Sequence, residues 1–228
     1  MKLSNLYLKT IFFILFVHCN NLYAENKVTK YQVEGEKNFL HEYTSLTKDG
    51  YVNVVVEIPA GDNDKWEVSK VDGKLKWEYS NSSYRIVKYM PYVSNYGFIP
   101  QTIYSKEMGG DGDPLDVILI GERFPRASVI KSKIIGMIKM TDQGQRDDKI
   151  LAVSVESKIF NSEYLNSIED LNKNYPGILE ILELWFKNYK LNSYIEIIEY
   201  SSYKEAMELI YKTKEPYKIL RGYWLENR

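Results

Sequence analysis

The sequence predicts an α+β domain, mainly β, built as a small barrel or curled sheet with helices packed outside. Three observations carry this expectation. Between residues 51 and 155, short runs rich in Val, Ile and Tyr alternate with turn residues, which is the pattern of consecutive strands. After residue 155 the apolar period lengthens, and Leu179, Leu182, Trp185, Phe186 and Tyr189 share one helical face. No repeat or low-complexity linker interrupts the 228 residues, so one domain is expected. With 27% charged residues and a net charge of −1, the composition gives no reason to expect nucleic acid or an anionic membrane surface as partner.

In order, Lys2 and Lys9 precede the apolar run Ile11–Val17, and a polar segment leads to Tyr23 and Ala24. A basic start followed by a short apolar stretch is the pattern of a secretory signal, too short to span a bilayer. Residues 1–24 are therefore expected to be removed after Ala24, leaving a mature, exported domain of residues 25–228 in the periplasm or outside the cell. A cytoplasmic or membrane-anchored chain, with the segment uncleaved, is the alternative. Cys19 is the sole cysteine and falls in the signal, so the mature chain has neither disulfide nor thiol chemistry. His41 is then the one remaining histidine, which excludes a multi-His zinc site and argues against a Ser-His triad.

Residues 25–50 are polar without clear periodicity and read as an extended arm. Tyr51–Ile58 is a β-branched strand closed by Pro59. Trp66–Lys70 and Leu75–Trp77 flank a hairpin turn at Val71–Lys74. Asn95–Pro100 suggests a short irregular strand inside the Tyr- and Pro-rich stretch 84–104. Residues 117–120, 128–140 and 150–155 are further strands, the second bending at Gly136. Pro176 suits the first turn of the helix that runs to Tyr189. Residues 194–200 make one more strand. A helix over 204–212, capped by Ser201 or Ser202, completes the fold, with Ala206, Leu209 and Ile210 inward.

The chemistry concentrates in Asp111-Gly112-Asp113-Pro114-Leu115-Asp116, directly before the apolar run Val117–Ile120. Three carboxylates this close repel one another unless a cation sits among them. Oxygen ligands without nearby Cys or His suit Mg²⁺, Mn²⁺ or Ca²⁺. By itself the pattern is equally that of a solvated acidic turn. Glu57, Glu67 and the loop carrying Asp142, Asp147 and Asp148 are further acidic candidates. If the strands around residues 117, 134 and 152 are neighbours, that loop returns its carboxylates to the first cluster and supplies ligands for more than one cation. Lys65, Arg85, Lys88, Lys149 and Lys190, with Tyr92, Tyr96 and Tyr189, form a phosphate-gripping set, although each taken alone reads as a surface charge. Composition and spacing thus point to a metal-dependent phosphohydrolase.

The chain also resembles the family I soluble inorganic pyrophosphatases. Their signature, D-x-D-[PE]-x-D, is met at Asp111–Asp116. The resemblance extends to Val56–Pro59, Lys65–Glu67, Asn95–Gly97, Lys139–Asp142, Asp147–Lys149 and Tyr189–Lys190, in family order. It implies a five-stranded OB-like barrel with flanking C-terminal helices, and hydrolysis of diphosphate to two orthophosphates. It implies several Mg²⁺ per site, with Mn²⁺ as substitute, and no covalent intermediate. By resemblance, Asp111, Asp116 and Asp147 bind activating metals, and Asp142 with Asp147 binds metal arriving with substrate. Asp113 is the base, and Glu57 completes the acidic rim, with Glu67 supporting it. Lys65, Arg85, Tyr96, Lys149, Tyr189 and Lys190 hold phosphate, and Tyr92 lines the pocket. The spacing between Lys65 and Tyr92 differs by one residue from the family pattern, which leaves Lys88 as the alternative to Arg85. A homo-oligomer is implied, without its size. The signal-like start and the tail 215–228, with Tyr217, Tyr223 and Trp224, lie outside the resemblance. Hydrolysis of other phosphoanhydrides, or metal or phosphate binding without turnover, are the competing readings.

Overall fold

A computed structural model describes residues 26–226 of the chain, and the expected signal at 1–24, with Cys19, lies outside them. Two short strands, β1 (Lys27–Val28) and β2 (Gln32–Glu34), come first, followed by β3 (Val52–Ile58). The hairpin β4 (Trp66–Val68) and β5 (Leu75–Trp77) precedes a small hairpin, β6 (Tyr79–Ser80) and β7 (Ser83–Tyr84), and then β8 (Asn95–Phe98). Next come β9 (Asp116–Ile120), β10 (Val129–Asp142), β11 (Gln145–Arg146) and β12 (Lys149–Ser154). The last third holds α1 (Ile168–Asn174), α2 (Ile178–Asn188), β13 (Ile195–Ser201) and α3 (Tyr203–Glu226). The fold is mainly β, with helices late in the chain.

The arm is more than an extended lead. β1 and β2 join the β4–β5 hairpin in the order β1-β2-β5-β4, and Val33, Phe39 and Leu40 are buried. A three-residue strand is too short for alternation to register, so periodicity missed it.

In the main sheet the pairing runs β11-β10-β12-β9-β8-β3. The first residues of β10 also pair with β3, from Val129↔Val55 to Ser132↔Val52, so the path returns from β3 to β10. The two faces of these strands feed two cores. Val52, Val54, Val56, Val117, Leu119, Ile150 and Ala152 lie in one, while Val55, Ile118, Ile120, Leu151 and Val153 lie in the other. Burial on both faces explains why these strands read as near-continuous apolar runs. The first core is covered by α3 through Ala206, Met207, Leu209 and Ile210, and the second by α2 through Leu179, Leu182, Trp185 and Phe186.

β10 shifts register between Ile134 and Gly136 where it pairs with β12, at the expected bend. A Cβ on Gly136 would stand 2.5 Å from both Ser201 O and Ile168 Cδ1, so the close approach of β13 and α1 requires glycine there.

Three helix boundaries differ from expectation. α1 is an additional helix, capped by Ser167, whose side chain accepts from the Asp170 N–H at 3.1 Å. Pro176 lies just ahead of the α2 N-cap, Gly177, rather than in the first turn. The last helix does not stop near residue 212 but runs through Pro216 to Glu226. Proline removes one helical N–H, but tertiary contacts hold this segment: Tyr217 and Thr213 are buried, and Thr213 C=O accepts from the Ile103 N–H at 3.0 Å. The Tyr217 hydroxyl lies 3.0 Å from His41 Nδ1, so tail and arm pack on the same domain. Among the described residues, no helix is long and apolar enough to cross a membrane.

Candidate active site

β9 and β12 are parallel, with Ile150 beside Val117, so Asp116 and Lys149 begin neighbouring strands at the same end of the sheet. β10 runs the other way and brings its last residue, Asp142, to that end, while Glu57, next to last in β3, opens onto the same space. Four strand ends therefore ring one cavity of about 630 Å³. Asp111, Asp113, Asp147, Lys65, Glu67, Arg85, Tyr96, Tyr189 and Lys190 also line it.

Lys149 is buried and donates to Asp116 Oδ2 at 2.5 Å and to Asp147 Oδ1 at 2.6 Å. Burial alone would lower its pKa, but the two carboxylates outweigh that and hold it well above the ordinary lysine value. Both carboxylates thus aim at one ammonium. Lys65 Nζ lies 5.4 Å and Lys149 Nζ 5.7 Å from the Tyr96 ring centre, so the phenol packs beneath two cations. Burial also works against the charge of Lys65, and Glu57, Asp116 and Glu67 raise its pKa overall.

Glu57 is buried, and burial pushes its pKa up to about 8, although its carboxylate accepts from the Val68 N–H at 2.6 Å. Asp111 accepts from the Asp113 N–H at 2.9 Å, and burial raises its pKa. Asp142 accepts from Lys190 Nζ and Ser193 Oγ. Burial pushes its pKa up, and these two donors bring it below the usual value. Asp113 is ion-paired with Lys70, which also donates to Gly112 O at 3.2 Å.

Two expected residues stand elsewhere. Tyr92 is not in the cavity lining; it is buried behind it, 4.5 Å from the Trp185 ring centre and 5.5 Å from that of Tyr96. Asp148 is buried outside the cavity lining, accepting from Tyr104 Oη at 2.9 Å and Arg146 Nε at 2.8 Å. Arg85 lines the cavity and pairs with Glu78 at 2.8 Å, whereas Lys88 is exposed on an adjoining cleft. The geometry therefore favours Arg85.

Lys70, Lys76, Glu78 and Ser193 were not among the expected site residues. The hairpin supplied a signal for one of them, because its register sets Glu67 opposite Lys76. Arg85 and Glu78 likewise face each other across the β6–β7 turn, with the Arg85 N–H on Glu78 O at 2.8 Å.

The donor set fits a hard divalent cation: Asp111, Asp116, Asp142 and Asp147 open onto one cavity whose lining has no Cys or His. Among the described residues, no three acidic, His or Cys side chains are already closed around one point. The ammonium groups of Lys149 and Lys190 lie against these carboxylates.

Comparison with known proteins agrees with this arrangement. The inorganic pyrophosphatase family pattern matches residues 54–218. A probable inorganic pyrophosphatase of Plasmodium falciparum is 31% identical over 96% of this chain, which spans 64% of that protein. The human inorganic pyrophosphatase is 31% identical over 79% of this chain, corresponding to 68% of its own length. The crystal structure of a truncated Trypanosoma cruzi vacuolar soluble pyrophosphatase in complex with PPi superposes with a TM-score of 0.80 at 25% identity, covering 89% of this chain and 92% of that one. The matched stretch contains every carboxylate, cation and phenol placed around the cavity, and the chain belongs to the inorganic pyrophosphatase family, in its soluble, family I branch.

Proposed function

We propose that the chain hydrolyses inorganic diphosphate to two orthophosphates, with Mg²⁺ as its metal and Mn²⁺ as a substitute. The observation that carries this reading is the single cavity in which five aspartates face Lys65, Arg85, Lys149 and Lys190. Diphosphate with its metals is a mixed-sign ligand, and this lining complements both signs.

Asp111, Asp116 and Asp147 hold the activating cations, Asp142 with Asp147 holds the cation that arrives with substrate, and Glu57 completes the rim with Glu67 in support. When bound, such cations neutralise phosphoryl oxygens and acidify water. Asp113 takes the proton of the attacking water. Lys65, Arg85, Lys149 and Lys190 grip the phosphoryl oxygens as charged donors, and the Tyr96 and Tyr189 hydroxyls add neutral ones. Burial pushes the Tyr189 pKa up to about 12, so its phenol keeps its proton for donation. Tyr92 acts from behind, fixing Tyr96 and Tyr189 by ring contact. The water oxygen bonds to one phosphorus as the bridging P–O bond breaks, and the second phosphate leaves. We read this displacement as direct attack by water, in a lining that offers no Cys or His.

The same reading treats the ring of β3, β8, β9, β12 and β10 as a five-stranded OB-like barrel. It has segment 1–24 export the chain, without stable membrane insertion afterwards, and it has the mature domain act as a homo-oligomer. Exposed Ile181, Leu184, Leu191 and Ile198 on and beside α2 and β13 support the last point.

The test is orthophosphate release from diphosphate by purified residues 25–228, with Mg²⁺ and with a chelator. Release only with Mg²⁺ is expected; intact diphosphate in both conditions would overturn the reading.

A further inference from the structure

We infer that Arg126, which lies outside the cavity lining, is a positioning residue that aims the Glu57–Glu67 wall at the substrate; this rests on the hydrolase reading above. Against β8, Val56 pairs with Gly97 and Ile58 with Tyr96, so Glu57 is the extra residue of a β-bulge. A bulge turns its extra side chain and leaves backbone groups without ladder partners. Arg126 supplies the partner here, donating from Nε to Glu57 O at 2.8 Å. Its guanidinium lies 4.2 Å over the ring of Trp66, and its second nitrogen reaches Asp62 Oδ2 at 3.2 Å. Trp66 is buried and stands in sequence between Lys65 and Glu67, both of which line the cavity.

One planar group thus holds the bulge that carries Glu57 and the ring that separates Lys65 from Glu67. A planar fork with a face for stacking does both, whereas an ammonium is a point donor without that face. The plainer role is that Arg126 pins the 59–64 turn through Asp62. Arg123 is the internal control, since it pairs with the same Asp62 at 2.6 Å from a more exposed position.

The test compares Arg126→Ala, Arg126→Lys and Arg123→Ala for kcat, KM for Mg-diphosphate and Tm. Positioning predicts a roughly ten- to hundredfold fall in kcat for both Arg126 variants, because a small misplacement of gripping groups costs that much. It also predicts a smaller change in KM, recovery of Tm but not kcat in Arg126→Lys, and Arg123→Ala within about twofold of wild type. Wild-type kcat in Arg126→Lys, with Arg126→Ala altering Tm alone, would overturn the inference. A wild-type protein that releases no phosphate would instead overturn the hydrolase reading. The inference is then decided by a crystal structure of Arg126→Ala: displacement of the Glu57 carboxylate from the Val68 N–H supports it, and an unmoved carboxylate refutes it.

Discussion

Asp147 and Asp148 are consecutive residues just ahead of β12, yet they serve two different environments. Asp147 opens onto the cavity and shares Lys149 with Asp116; Asp148 is buried outside the cavity lining and is consumed by Tyr104, Arg146 and the Met140 N–H. The contrast extends to whole faces of the sheet. One face ends in a rim of carboxylates and ammonium groups whose burial and mutual proximity displace several pKa values. The other is closed by Ala206, Met207, Leu209 and Ile210 of α3. Charge held near charge is kept for chemistry on the first, whereas polar atoms on the second are tied off in fixed bonds. Substitutions on the two faces should therefore fail in different ways.

The largest effect is expected at Asp113. Asp113→Asn removes the proposed proton acceptor and should lower kcat by roughly 10²–10⁴-fold while leaving Tm near wild type. Undiminished turnover would break the contrast at its most exposed point. On the other face, Ile210→Ala empties a fully buried site under α3 and should cost about 2–5 kcal/mol of unfolding free energy. Denaturant titration measures that loss, and kcat of the folded fraction should be unchanged.

Asp148→Asn sharpens the comparison between the two neighbours. It weakens a buried three-partner network, so a stability loss of about 1–3 kcal/mol is expected with no change in Mg²⁺ requirement. A shifted Mg²⁺ requirement would move Asp148 to the cavity side. The smallest effect belongs to Lys88. Arg85→Ala should raise KM for diphosphate about tenfold, equivalent to ~1.4 kcal/mol. Lys88→Ala should change it by less than about twofold, since an exposed cation is screened by solvent and salt. The reverse order would reassign the phosphate contact.

The long strands were legible because burial on both faces leaves continuous runs such as Val117–Ile120 and Ile150–Val153. α2 was legible because four buried residues repeat at helical spacing. α1 was not, since just Ile168 and Leu171 of its seven residues are buried, too few to establish a period. The last helix was expected over 204–212, and the burial of Tyr217 against the arm carries it past Pro216 to Glu226. At the site, the carboxylates stood in one linear motif and one loop, both visible in sequence. Two of their hydrogen-bonding partners did not: Lys70 reaches Asp113 and Ser193 reaches Asp142 through the placement of separate elements, which spacing alone does not encode.

The proposed chemistry requires Asp111, Asp116 and Asp147 to converge on shared divalent cations. A crystal of the protein soaked in Mn²⁺ tests this directly through anomalous scattering. Manganese peaks bound by oxygens of all three aspartates are expected. Peaks elsewhere, or aspartates too far apart to share an ion, would contradict it.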